Sequence, residues 1–141
     1  MTVNMQLTRI LVPTAGPVPA KMNADYIMNL ARRLQAQVYA IHIRDIKEER
    51  ESGLEALKIF EKTGSKWNVP VVTEMLVGKV VDNIIDIAER RKIDLIVMGG
   101  SQDRIVSDWI VTEVLKETRI PVVIIPFGLE NLSLTEMDTV C

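Results

Sequence analysis

The sequence predicts an α/β protein built on one five-stranded parallel open sheet with helices on both faces, a Rossmann-like layering. Two observations predict it. Five short apolar runs rich in β-branched residues recur along the 141 residues, with no strict polar alternation, as strands covered on both faces require. Between them lie four segments whose apolar residues return every three or four positions, the spacing of one helix face. A string of the form β-α-β-α-β-α-β-α-β closes into a parallel sheet through right-handed crossovers.

The first strand is Arg9–Ala15 (RILVPTA), ended by Gly16-Pro17. Pro17 or Pro19 suits the first helical turn, where a missing N–H costs little. Ala20, Ala24, Ile27, Met28, Ala31 and Leu34 mark the first helix. Gln37–Ile43 (QVYAIHI) is the second strand. The next helical segment is expected from Asp45 to about Lys66, with Leu54, Leu57 and Phe60 on its apolar face and Gly64 as its stop. Val69–Leu76 (VPVVTEML) is the third strand, where Pro70 fits a first residue or a sheet edge. Val80, Val81, Ile84, Ile85 and Ala88 carry the third helix. Asp94–Met98 (DLIVM) is the fourth strand, followed by Gly99-Gly100. Ile110, Val111, Val114 and Leu115 mark a fourth helix, with Ser107 or Asp108 expected as its N-cap. Ile120–Pro126 (IPVVIIP) is the fifth strand.

Composition narrows the function. The length suits one domain, expected over residues 1–127, with a weakly periodic tail over 128–141. Lys and Arg number 17 against 19 Asp and Glu, so the basic excess of a nucleic-acid binder is lacking. Arg32-Arg33 and Arg90-Arg91-Lys92 read as solvated helix ends, where cations favour the dipole. Cys141 is the one cysteine, which excludes an intrachain disulfide and a cysteine metal site and fits a reducing compartment. No apolar stretch reaches the roughly 18 residues of a membrane span, and no secretory signal opens the chain. A cytoplasmic protein with no nucleic-acid or membrane partner is expected.

In open parallel sheets, ligands bind beyond the carboxyl ends of the strands. Candidate segments are therefore Pro13-Thr14-Ala15, Ile43 with the residues after it, Val77-Gly78, and Met98 to Asp108. Gly99-Gly100-Ser101-Gln102 could form an anion nest ahead of a helix N-terminus, which makes a small anionic ligand a candidate, or could simply turn the chain. Neither a P-loop nor a dinucleotide fingerprint occurs. His42 is the only histidine and lies inside a strand, where packing or hydrogen bonding is its expected role. Ser101 and Ser107 lack a nucleophile-elbow motif, so no catalytic residue is assigned, and no metal-ligand spacing appears. Trp67 is expected to cover a helix end, and Trp109 to pack in the core or an interface. A response-regulator receiver shares the element order, but its acidic pair, phospho-acceptor and lysine have no counterparts here.

Ile10-Leu-Val-Pro-Thr14, Ala40-Ile-His-Ile43, Val77-Gly78, Asp94-Leu-Ile-Val-Met-Gly99 and Ile120-Pro-Val-Val-Ile-Ile-Pro126, in that order, resemble the universal stress proteins over about Thr8 to Pro126. The resemblance implies the adenine nucleotide alpha hydrolase-like sheet, order 3-2-1-4-5, and a homodimer. It implies a non-enzymatic stress-response role. It makes ATP or another adenine nucleotide the one candidate cofactor, held between strands one and four. Pro13, Thr14, Ala15, Ile43, Val77, Met98, Gly99, Gly100, Ser101, Gln102 and Ser107 are the positions that would meet it. ATP binders in this family carry an aspartate shortly after the Val-Pro of strand one, and Gly-x-x-Gly followed at a distance by Gly-Ser or Gly-Thr. This chain has Ala15, Gln102 and Asp108-Trp109 in those places, with a shorter loop. A carboxylate where phosphate should sit opposes an anion, so weak or lost ATP binding is expected. The alternative is an ATP- or AMP-binding member with slow or no hydrolysis. An interaction module of a larger transporter or kinase is a third reading, with no partner domain in view. Strand five should be a sheet edge, and its uncharged Val122-Val123-Ile124-Ile125 run is the expected dimer interface. The alternative is that Phe127 to Cys141 folds back over the edge through Leu129, Leu132 and Leu134, which the polar make-up of Glu130 to Cys141 disfavours.

Overall fold

A computed structural model describes residues 7–99 and 104–125, with only the backbone described for 104–108. Its elements alternate as expected: β1 (Thr8–Pro13), α1 (Pro17–Arg33), β2 (Ala36–Arg44), α2 (Arg50–Trp67), β3 (Val71–Val77), α3 (Val80–Arg90), β4 (Leu95–Gly99), α4 (Arg104–Glu117) and β5 (Val122–Ile125). They build one sheet of order β3-β2-β1-β4-β5, with every neighbouring pair parallel. Ile10 to Val12 and Ile96 to Met98 are thus adjacent in the middle of the sheet.

The alternation of side chains along a strand divides the core into two layers. Ile10, Val12, Val38 and Ala40 face α1 and α2, where Ala24, Ile27, Met28 and Phe60 meet them. Leu11, Ile41, Ile43, Ile96 and Met98 face α3 and α4, where Ile84, Ile87 and Val114 complete the packing. With so few aromatic residues, Phe60 is the largest fully buried side chain.

Helix starts and stops depart from expectation in three places. First, α2 begins at Arg50 rather than Asp45. Asp45 instead closes a turn: its side-chain Oδ1 accepts from Lys47 N at 3.2 Å and its carbonyl from Glu48 N at 3.0 Å. This is the local competition by which aspartate favours turns over helix. Second, Gly64 does not stop α2. The helix runs on to Trp67 and ends at Asn68, whose φ of 60° is left-handed. Asn68 N donates to Ser65 O and Val69 N to Gly64 O, a Schellman closure. Asn tolerates that conformation well, so no glycine is needed there. Lys92 ends α3 in the same way. Third, α4 starts at Arg104, so Ser107 and Asp108 lie inside it and neither is its N-cap. Cap preference of a single side chain is a weak signal beside the packing of a whole helix.

Some apolar side chains also face outward. Leu34, Leu54 and Leu115 are exposed, and Trp109 is 60% exposed, which overturns core packing for it. Trp67 behaves as expected: it packs at the end of α2 against the core and donates its indole N–H to Asp25 Oδ1 at 2.8 Å. Arg32, Arg33 and Arg90 do sit in the last turns of α1 and α3.

Gly64 has a steric reason to be there. A Cβ at this position would lie 2.3 Å from Val71 Cγ2 and 3.0 Å from the Val69 carbonyl oxygen. The second contact is to backbone just ahead of β3, which the Val69 N–H bond to Gly64 O holds against the helix end. Gly64→Ala is therefore expected to destabilise the fold by about 1–2 kcal/mol, because overpacking outweighs the helix propensity gained. Urea unfolding of the two proteins measures the difference; an equally or more stable variant would show that α2 and β3 can separate freely.

Candidate functional site

The β1–β4 ladder has two residue pairs in register, Ile10↔Leu95 and Leu11↔Ile96, whereas β1 and β2 pair over six residues from Thr8↔Ala36 to Pro13↔Ile41. Beyond those two pairs the carboxyl ends of β1 and β4 border a cavity of about 300 Å³. Here the strand order reverses, the switch point at which open α/β sheets bind ligands.

Pro13, Thr14, Ala15, Ile43, Met98 and Gly99 all line this one cavity, as their positions after the strands suggest. Val77 does not: it lies half-exposed at the end of β3, and Val80 in the first turn of α3 lines the wall on that side. Gly78 turns the chain between them with φ +133°, a conformation that favours glycine. Gly100, Ser101 and Gln102 lie outside the described residues. Ser107 falls in the first turns of α4, whose neighbouring Ile110 and Val111 also line the cavity. The sequence did not point to the contributions of Asn23, Ile27, His42, Glu48 and Phe60. Four of these come from helix faces and strand interiors that also serve the core, so pattern alone marks them as packing; Glu48 comes from a charged loop.

The polar groups at the β1 and β2 side of the cavity are engaged with one another. Thr14 N donates to Ile41 O at 2.8 Å, extending the β1–β2 ladder, and its hydroxyl donates to Gly16 O at 3.3 Å. His42, 2% exposed, joins two loops. Its Nδ1 donates to the Thr14 carbonyl oxygen at 2.7 Å, and its Nε2 lies 2.7 Å from Glu48 Oε2. The loop after β1 is thereby tied through one ring to the turn after β2. Gly53 in the first turn of α2 packs directly on that ring, since a Cβ there would meet His42 Cδ2 at 2.3 Å. A histidine with both nitrogens so occupied has no free nitrogen to act as a general base. Among the described residues, no group of three or more His, Cys, Asp or Glu is arranged to hold a metal ion. No helix among them is long and apolar enough to cross a membrane.

Sheet order, cavity position and loop geometry together define a small α/β protein of the doubly wound class. Residues 6–126 match the model of the universal stress protein family, and the chain belongs to that family. It is 31% identical over 137 residues to the universal stress protein MJ0531 of Methanocaldococcus jannaschii, covering 83% of this chain and 81% of that one. Solved structures share the fold at lower identity. A universal stress protein in complex with cAMP superposes with a TM-score of 0.71 at 16% identity, covering 86% of this chain and 98% of that one. A universal stress protein family protein of Arabidopsis thaliana with AMP bound gives a TM-score of 0.67 at 16% identity, covering 92% and 98%.

The His42 link makes a prediction of its own. Glu48→Ala leaves Nε2 of a buried ring without its protein partner. Because Glu48 is 38% exposed, water replaces part of the loss. A destabilisation of about 1 kcal/mol is expected. Amide exchange across residues 45–49 should accelerate while that of β1 does not. Unchanged exchange in that turn would show that His42 does not hold it.

Proposed function

We propose that this universal stress protein is a non-enzymatic, ligand-responsive regulator that acts in the cytoplasm as a homodimer, and that its switch-point cavity takes the adenosine portion of an adenine nucleotide while holding ATP weakly. The observation that carries this is the make-up of the cavity. Its walls are mainly apolar: Val12, Ile27, Ile43, Phe60, Ile84 and Met98. That suits a flat heterocycle. Ala15 lines it where ATP-binding relatives are expected to carry a carboxylate, which removes a strong charge-assisted partner for a sugar hydroxyl. The likeness to proteins described with cAMP and AMP supports an adenine ligand with a single phosphate. The engagement of both His42 nitrogens supports a binding rather than a hydrolytic role.

Calorimetric titration with adenosine, AMP and ATP tests the ligand. Measurable binding of adenosine or AMP is expected, with an ATP Kd of about 0.1–1 mM, equivalent to roughly −4 to −5.5 kcal/mol. No hydrolysis is expected over hours. ATP that stays bound through purification would overturn the weak-ATP reading, and failure of all three to bind would overturn the adenine reading.

The dimer is supported by β5. It is an edge strand, and Val123 and Ile124 are 36% and 49% exposed. Val122 is half-buried and Ile125 faces the core, so those two would contribute backbone rather than side chain. Light scattering is expected to give a dimer at tens of micromolar and a monomer for Val123→Lys, because a cation at a two-fold edge meets its own copy. A monomeric parent, or a dimer indifferent to the lysine, would remove this interface.

A further inference from the structure

Asn23 is the polar residue of the cavity that the fold leaves unused. It lies in the middle of α1, is 8% exposed, and lines the cavity. Among the described residues its carboxamide has no hydrogen-bond partner, whereas Thr14, His42 and Glu48 beside the same cavity are all engaged. The side chain as a whole is buried, but its amide atoms face the cavity rather than the closed core, where Arg44 Nε is the buried side-chain atom left without a partner among the described residues, so the amide is open to a ligand. At this helix position an apolar residue would continue the buried stripe of Ala20, Ala24 and Ile27.

The amide is also held in a fixed place. A Cβ on Gly99 would lie 2.4 Å from Asn23 Nδ2, so the side chain rests directly on the backbone at the end of β4. Any larger residue at 99 would push it away. The glycine therefore has a steric role even without a phosphate: it seats the Asn23 carboxamide at the switch point, between the ends of β1 and β4.

We propose that Asn23 is the specificity-determining polar anchor of the cavity, pairing with an uncharged group on the ligand that both donates and accepts a hydrogen bond. The sugar hydroxyls and the amino-bearing edge of a purine both have this chemistry. A carboxamide offers donor and acceptor side by side and carries no charge, so it selects such a group without the charge assistance that Ala15 cannot give. The proposal rests on the adenosine-type ligand proposed above.

The test uses Asn23→Leu, which keeps the branched shape and removes both polar atoms, and Asn23→Ser as a smaller variant that keeps the experiment alive should the leucine disturb folding. Each protein is titrated with adenosine and 2′,3′-dideoxyadenosine, and its thermal midpoint is measured. Loss of about tenfold or more in adenosine affinity is expected for both variants. The midpoint of Asn23→Leu should stay the same or rise, because no protein hydrogen bond is lost and apolar surface is added to a mainly apolar cavity wall; a merely structural asparagine would lower it. A dideoxy ligand that is already weak in the parent and insensitive to the variants assigns the contact to the sugar, and one that loses affinity in step with adenosine assigns it to the base; either result supports the anchor. Parent and variants binding adenosine equally would overturn it while leaving the adenine site standing. A parent that binds neither nucleoside would overturn the adenine site itself, and the anchor with it.

Discussion

The brief ladder between β1 and β4 is the constraint on which the rest depends. It must be strong enough to hold the centre of the sheet and short enough to let the two strands border a cavity. Asp94 meets the first need. Its carboxylate accepts from Arg9 N at 2.8 Å and its own N–H donates to Arg9 O at 2.8 Å, so one residue fixes the register at the entry to both strands. Arg9 adds a hydrogen bond to the Arg91 carbonyl, which joins the end of α3 to the same corner. With the amino ends pinned, two paired residues suffice, and the carboxyl ends are free to border the cavity. The site exists because the sheet is tied at one end and not at the other.

The helices approach the sheet at positions where the sequence omits side chains. Gly53 lets α2 rest on the His42 ring, Gly64 lets it rest on β3, and Gly99 admits the Asn23 amide. Close packing of this kind leaves few ways to adjust, since interiors pack about as densely as organic crystals. Ring, turn and loop are joined at the β2 side of the cavity, through Thr14, His42 and Glu48. On the α1 side nothing among the described residues ties the polar group. One wall of the cavity is completed by the protein itself, and the other keeps its hydrogen-bonding capacity for something else.

Much of this was legible from residue order. The strands declared themselves through uninterrupted β-branched runs, because a sheet covered on both faces demands them. The order of the strands followed from the resemblance rather than from periodicity, since no local pattern says that β4 returns to the far side of β1. Site residues that terminate strands, such as Thr14, Ala15 and Gly99, could be placed by the switch-point rule. Asn23 and His42 could not. Each sits in an element interior where the sequence shows only a polar residue in an apolar stripe, and only the third dimension reveals that one is fully bonded and the other not. Gly64 misled for a related reason. A glycine near the end of a helix serves equally as a stop or as a contact, and the choice was made by β3, which is too distant in the pattern to be read. The residues after Gly99 that the resemblance tied to phosphate, Gly100 to Gln102, lie outside the described structure, and so does the side chain of Ser107.

The two edges of the sheet are treated differently, and the difference bears on assembly. At β3, Thr73 donates to Glu61 at 2.8 Å and Glu74 lies 3.6 Å from Arg91. A charged and hydrogen-bonded residue at the centre of an edge strand discourages pairing with another chain, since burying either would strip water from groups that the partner could not replace. At β5 no charge interrupts Val122 to Ile125, and the outward side chains are aliphatic. Among the described residues, one edge is guarded and the other is not. An unguarded edge of this composition is an aggregation hazard unless something covers it, and a second copy of the same strand would do so at no cost in new sequence. The asymmetry favours β5 over β3 as the surface on which two chains would meet. A contact there would leave the cavity clear, because the cavity lies at the carboxyl ends of β1 and β4, inside the sheet rather than along its rim.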